Sequence, residues 1–293
     1  MRFTEIGQQL RAYRLESGLR AEEIAARLGV SRAALYRYEK GEVIKLDTIQ
    51  RLAELLKISP LSLLGIGVEY YNRPIGYFER IRQVEETADQ ILQVHGAVCY
   101  LTTSDRYDAA LADVFDEMSS QSGPERNTMR ALAEQVLGIL AARKRSYAAR
   151  RPGIIAMVSM GQLQSFLSHG VAPSAVRSAK ARDLCREVAA AEVENVASLM
   201  EAEPIGLQFG LLANAEPTGN FKLLRSRDRA MLAINPFHTD SPLNGATGVA
   251  MMTGADEAIA AHQRAAETLW RDALKGAAAA KRVRQLLSAA KAA

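Results

Sequence analysis

Apolar residues recur at three- and four-residue spacing through the first quarter of the chain, in short runs broken by turn residues. Ile6, Leu10 and Tyr13 share one helical face, and Gly18 closes that run. Ile24, Ala25 and Leu28 mark a second helix in the stretch EEIAARL. Gly29-Val30-Ser31 reads as a tight turn, with Ser31 the N-cap of a third helix that Gly41 ends. Ile49, Leu52, Ala53 and Leu56 define a fourth helix opened by Asp47 or Thr48, and Ser59-Pro60 starts a fifth. Thr4 is positioned to cap the first. The periodicity therefore predicts an all-α, five-helix domain over residues 1–68.

The stretch GIGVEYYNRPIG (65–76) breaks this pattern with three glycines and one proline, so residues 69–76 read as a linker and 77–293 as a second domain. Phe78, Ile81, Val84, Ala88 and Ile91 predict one helix over 77–94. AVCYL (97–101) and IIAMVS (154–159) predict buried strands, and helices are expected over 105–119, 125–149, from 159 to 168, and 174–202. IGLQFGLL (205–212), NFKLLRS (220–226), RAMLAINPF (229–237) and TGVAMMTG (247–254) are four closely spaced strands, bounded by turn residues that include Pro217 and Pro242. Such short connections favour antiparallel pairing. Helical spacing returns over 255–276 and in the Ala/Lys/Arg-rich end. The fold class expected is α+β: the helical domain, then a mixed α/β domain with a mainly antiparallel sheet.

Helix, short turn and helix within residues 21–40 match a helix-turn-helix. Arg14, Gly18-Leu19, Glu22-Glu23-Ile24-Ala25, Gly29-Val30-Ser31, Leu35, Arg37, Glu39, Gly41, Ile49, Leu52-Ala53 and Leu56 carry the likeness. On these residues the region from Ile6 to Leu64 resembles the DNA-binding domain of the Xre family, which includes phage repressors and Cro proteins. The resemblance implies a lambda-repressor-like fold and a double-stranded DNA partner. It also suggests a structural pairing of Glu39 with Arg14. Two positions depart from the family pattern: Arg20 and Ala21 stand where Ser/Thr and Gln are common. Loss of the hydroxyl cap should cost about 1 kcal/mol, and Ala21 forfeits a hydrogen bond to DNA that Arg20 could replace at a phosphate.

The third helix is long enough for the major groove. With Leu35 inward, helical spacing turns Arg32, Ala33, Tyr36 and Arg37 outward, while Tyr38 packs. Arg32 and Arg37 are candidates for bidentate contact to guanine, worth roughly 1–3 kcal/mol each. Tyr36 suits a thymine methyl or a phosphate, and Lys40 and Lys45 suit phosphates. The candidate DNA-binding set is Arg20, Ser31, Arg32, Ala33, Tyr36, Arg37, Lys40 and Lys45. Charge agrees in sign: residues 1–68 hold 11 Lys/Arg against 8 Asp/Glu, leaving 26 against 25 for the rest.

Composition excludes more than it suggests. Nearly half the residues are hydrophobic (48%), enough for a buried core. No apolar run reaches the 18–20 residues or so that span a bilayer, and no secretory leader is evident, so a cytoplasmic protein without membrane contact is expected. Cys99 and Cys185 lack CxxC spacing and read as small buried residues. His95, His169, His238 and His262 form no ligand pair, so neither metal nor cofactor is expected.

GATGVAMMTG lacks the Gly-Lys-Ser/Thr of a phosphate loop, and no nucleophile–base arrangement stands out. The second domain is therefore expected not to be an enzyme. Residues 143–287 distantly resemble the C-terminal domains of other large bacterial Xre-type regulators. The expected role is effector sensing and dimerisation, with a small molecule as effector or, alternatively, a protein partner. Arg150, Arg151, Met157 and Met160 are weak ligand candidates, and Met251 and Met252 belong with them on composition. A homodimer on a palindromic operator is expected because one small helix-turn-helix reads few base pairs. Repression by blocking polymerase is favoured over activation.

Overall fold

The computed structural model describes residues 3–94, 96–171, 178–215, 217, 219–237 and 248–292. Five helices open the chain: α1 (Phe3–Ser17), α2 (Ala21–Leu28), α3 (Arg32–Glu39), α4 (Leu46–Leu56) and α5 (Pro60–Leu63). β1 (Val68–Tyr71), α6 (Pro74–Glu85), β2 (Gln90–Val94), α7 (Asp105–Gln121), α8 (Arg126–Arg150), β3 (Gly153–Ser159), α9 (Met160–His169) and α10 (Ala179–Ala202) follow. The chain continues through β4 (Leu207–Leu212), β5 (Phe221–Arg225), β6 (Ala230–Ile234), β7 (Ala250–Thr253), α11 (Asp256–Asp272) and α12 (Gly276–Ala292).

The strands form one sheet in the order β1-β7-β6-β5-β2-β3-β4. Four neighbouring pairs are antiparallel, whereas β2, β3 and β4 run parallel. The expected mainly antiparallel sheet is thus present. IGLQFGLL departs from that expectation, because β4 lies parallel to β3. The 24-residue helix α10 precedes it and supplies the long crossover that parallel pairing requires.

One face of the sheet carries α11, whose Ile259 and Ala266 pack with Leu92, Met157, Leu223 and Leu232. The opposite face packs against the other helices of the second domain in a core continuous with that of α1–α5. Ile6, Leu10, Ile24, Leu35 and Leu52 of the helical domain therefore share one apolar interior with Phe78, Ile81, Val136 and Val196.

Several sequence expectations change at this level. Residues 69–76 are not a loose linker: β1 pairs with β7, and α6 begins at Pro74. Of the three glycines that suggested a break, Gly65 and Gly67 serve turns, with φ of 71° and 91°, whereas Gly76 lies within α6 against Glu16. The helix expected over 77–94 ends at Glu85, and its last part is β2, held between β3 and β5. Ala88 and Ile91 fit a helical period, but pairing on both sides overrides it. AVCYL is not a strand. The Thr102 and Thr103 hydroxyls donate back to the carbonyls of Cys99 (2.9 Å) and Tyr100 (2.8 Å), closing a short 3-10 turn instead. Thr4 lies inside the first turn of α1, and α4 starts one residue before Asp47. Residues 174–177, Pro242, His95 and His238 lie outside the described residues. Cys99 and Cys185 are buried, as expected.

Candidate nucleic-acid interface

The helix-turn-helix is assembled by local chemistry that the sequence announces. Gly29 takes the left-handed conformation (φ 71°) and its N–H returns to Ala25 and Ala26, ending α2. Ser31 Oγ accepts the Ala34 N–H at 3.1 Å and caps α3. Leu35 is fully buried, and Tyr38 packs partly against the core. Arg32, Ala33, Arg37 and Lys40 are exposed, and Tyr36 is half-buried beside them.

Two contacts fix how α3 sits on α1. Gly7 lies against the end of α3 so closely that a Cβ there would stand 2.4 Å from the Tyr38 carbonyl oxygen. Arg14 grips Glu39 with two bonds, Nε to Oε1 at 2.5 Å and Nη2 to Oε2 at 3.1 Å. Burial pulls the Arg14 pKa down, but the hydrogen bond and charge of Glu39 outweigh it and leave it raised. The pairing suggested by the family likeness is present. It satisfies a carboxylate that would otherwise be buried unpaired at the unfavourable end of a helix dipole.

The candidate groove-reading arginines rest against neighbouring carboxylates. Arg32 Nη1 meets Glu22 Oε1 at 2.7 Å, its Nη2 donates to the Tyr36 hydroxyl at 3.2 Å, and its guanidinium lies 5.3 Å from the Tyr36 ring centroid. Arg37 Nε meets Glu42 Oε2 at 3.1 Å. Arg20 flanks the start of α2, where its N–H donates to Glu23 Oε2 at 2.9 Å and its guanidinium reaches Glu23 Oε1 at 3.3 Å. That backbone bond holds the Glu23 carboxyl below its ordinary pKa. The missing hydroxyl cap at Arg20 is thus partly offset by Glu23, which satisfies the Arg20 N–H. Lys45 is the exposed residue preceding α4.

The ligand candidates do not converge. Met157 is buried among the residues facing α11, whereas Met160 packs toward the opposite core. Met251 is half-buried, and Met252 is buried in the larger core. Arg150 and Arg151 are exposed at the end of α8, with Arg150 donating to the Glu86 carbonyl and lying 3.5 Å from Asp89. Packing accounts for the methionines and local pairing for Arg150.

Sequence periodicity missed a set of buried charges centred on α6. Its polar side faces protein rather than water. Glu69 of β1 receives Arg80 Nε at 2.7 Å and Nη2 at 2.9 Å, the Tyr71 hydroxyl at 2.8 Å and the side chain of Gln9 from α1. Gln83 donates to the Gln8 carbonyl at 3.1 Å, and Arg11 meets Glu79 at 2.7 Å. Glu16 accepts the N–H groups of Asn72 and Arg73 at 2.6 and 3.0 Å, and Tyr13 stacks on Tyr71 with centroids 5.3 Å apart. At the other end of α6, Glu85 accepts two bonds from Arg143 (2.8 and 2.9 Å) and lies 3.4 Å from Lys222. The only trace of this in the sequence is the density of charge in FERIRQVEE, which an exposed helix face explains equally well.

Residues 5–63 match a family model described as a helix-turn-helix domain. Neither the curated proteins nor the solved structures returned a match to the chain. The N-terminal region is a helix-turn-helix domain, and the protein is a DNA-binding regulator. Among the described residues no helix is long and apolar enough to cross a membrane.

Proposed function

We propose that the protein is a sequence-specific transcriptional repressor that binds a palindromic operator as a homodimer, with its second domain sensing an effector rather than catalysing a reaction. The observation that carries this reading is the row Arg32, Ala33, Tyr36, Arg37 and Lys40 along the outer side of a capped, rigidly seated α3. Arg32 and Arg37 read guanine. Their present partners do not oppose that role, because exposed ion pairs contribute about 0–1 kcal/mol, whereas a bidentate arginine–guanine contact gives about 1–3 kcal/mol of discrimination. Ala33 and Tyr36 contact thymine methyls or the backbone, and Arg20, Ser31, Lys40 and Lys45 take phosphates. Two such domains on a two-fold axis would address half-sites about 34 Å apart.

A small molecule is the first candidate effector, since residues 77–293 are far more chain than dimerisation needs. The crevice beside Thr87, Arg225 and Arg229 has a volume of only about 10 Å³, room for one water. A metabolite needs a few hundred Å³ or more, so its site lies elsewhere in the second domain or in an opened form of it. A protein partner is the second reading. It is favoured by exposed Ile66, Tyr70 and Val249 around β1, an edge strand able to accept another strand.

Selection of duplexes from a random pool by the full chain, followed by mobility shift, tests the assignment. Arg37→Ala should lose selectivity for the chosen duplex while folding and oligomeric state are kept. Undiminished selectivity would remove α3 from the groove.

A further inference from the structure

We propose that the β5–β6 hairpin of the second domain belongs to the DNA-binding surface and contacts phosphates flanking the half-site read by α3. This inference rests on the DNA-binding reading above. Three observations support it.

The first is continuity. Gly41, just past α3, lies so close to the first turn of α1 that a Cβ on it would stand 2.7 Å from the Thr4 Cα. The next residue in that turn, Glu5, holds Arg229 of the hairpin, Nη2 to Oε1 at 3.0 Å. A path of direct contacts therefore runs from the end of the reading helix, past Lys40, to the hairpin.

The second is charge. Residues 225–229 contain Arg225, Arg227 and Arg229 against one carboxylate, Asp228. Arg225 donates to Gln263 at 3.1 Å and Arg229 to Glu5. Arg227 is exposed and, among the described residues, has no hydrogen-bond or ion-pair partner. Lys40 and Lys45 of the helix-turn-helix are alike in this, exposed and without side-chain partners among the described residues. An unpaired cation at a projecting tip suits a polyanion, because each neutralised phosphate releases condensed counterions.

The third is rigidity. The Ser226 N–H donates to the Arg229 carbonyl at 2.9 Å, and Arg225 is registered on Ala230, so Arg227 and Asp228 form a tight tip. The buried Gln9–Glu69–Arg80 network and the Tyr13–Tyr71 stack tie α1 to the sheet that carries the hairpin. The hairpin is thus held at a set position relative to α3. That is the condition under which a phosphate contact fixes register on the duplex.

The test uses the full chain and salt titrations of binding to a selected duplex and to an unrelated one. Arg227→Glu should weaken both by the same factor and flatten the log–log salt slope by about one for each phosphate left without its cation. Arg227→Lys should restore binding. Trimming the duplex outside the half-sites should weaken the wild type and leave Arg227→Glu unaffected. Unchanged affinity and slope for Arg227→Glu, while Arg37→Ala loses selectivity, would overturn the hairpin contact alone. Failure of the wild type to bind any duplex would overturn the DNA-binding reading with it.

Discussion

Arginine–glutamate pairs appear on both α3 and α6, and burial gives them opposite meanings. The side chains of Arg37 and Glu42 are 60% and 54% exposed, whereas those of Arg143 and Glu85 are 3% and 4% exposed. In water an ion pair is weak and exchangeable. Inside the protein the same two groups have lost their hydration, and each compensates the other's buried charge. The Arg32–Glu22 and Arg37–Glu42 pairs therefore leave arginines available to a stronger partner, while the Arg80–Glu69 and Arg143–Glu85 pairs are sealed parts of the scaffold. The same kind of residue pair is exchangeable in one place and architectural in the other.

The sharpest way to break this contrast is Arg143→Met, which strands Glu85 with Lys222 alone. It should lower the unfolding free energy by about 3–5 kcal/mol, read as the shift of a denaturant midpoint. Replacing Glu85 and Arg143 together with leucine should recover much of that loss, because two desolvated charges vanish at once.

Arg80→Met should destabilise on a similar scale and reach further. Glu69, its partner, also receives Gln9 of α1, so the substitution loosens the helix-turn-helix from the sheet. Splitting of one thermal transition into two, with weakened DNA binding, is the expected outcome.

Acid stability offers a finer comparison. Burial pushes the Glu85 carboxyl up, but Arg143 and Lys222 outweigh it and hold it below the ordinary value of 4.5. A depressed folded-state pKa means that its contribution is fully present above about pH 4.5 and is lost as pH falls through the folded value. Glu85→Gln should flatten that acid limb in pH-dependent unfolding.

Arg37→Ala is expected to leave the denaturant midpoint in place and remove roughly 1–3 kcal/mol of discrimination at one base pair. Smallest of all, Glu22→Gln and Glu42→Gln should each change stability by less than about 1 kcal/mol. Both should leave DNA affinity equal to or above that of the wild type, since they release Arg32 and Arg37. Weaker binding after either change would show that the carboxylates aim the arginines rather than merely rest on them.

Legibility in the sequence followed the range of the forces involved. Ser31, Gly29 and Gly41 declare their roles because caps and turns are settled within a few residues. Leu35 declares its burial because helical spacing leaves it one inward direction. Over 77–94 the same spacing misled, since Ala88 and Ile91 fit a helical face, yet the chain there leaves the helix and enters β2 between β3 and β5. The Glu69–Arg80 and Glu85–Arg143 pairs were invisible because their members are 11 and 58 residues apart, and exposed charge has the same composition. The ligand candidates rested on residue type alone, and Met157 and Met160 turned out to serve opposite sides of the sheet.

The sequence by itself determined the helix-turn-helix, the ends of its third helix, and which arginines that helix turns outward. These follow from hydrogen bonds and apolar spacing within eight to twelve residues or so, which any fold containing the segment must respect. Only the tertiary structure decided that residues 69–76 add a strand to the sheet, that α6 buries its charges, and that Arg229 reaches Glu5 of α1. Those outcomes depend on which distant segments come to exclude water from one another, and hydrophobic burial has no direction along the chain to record it in advance.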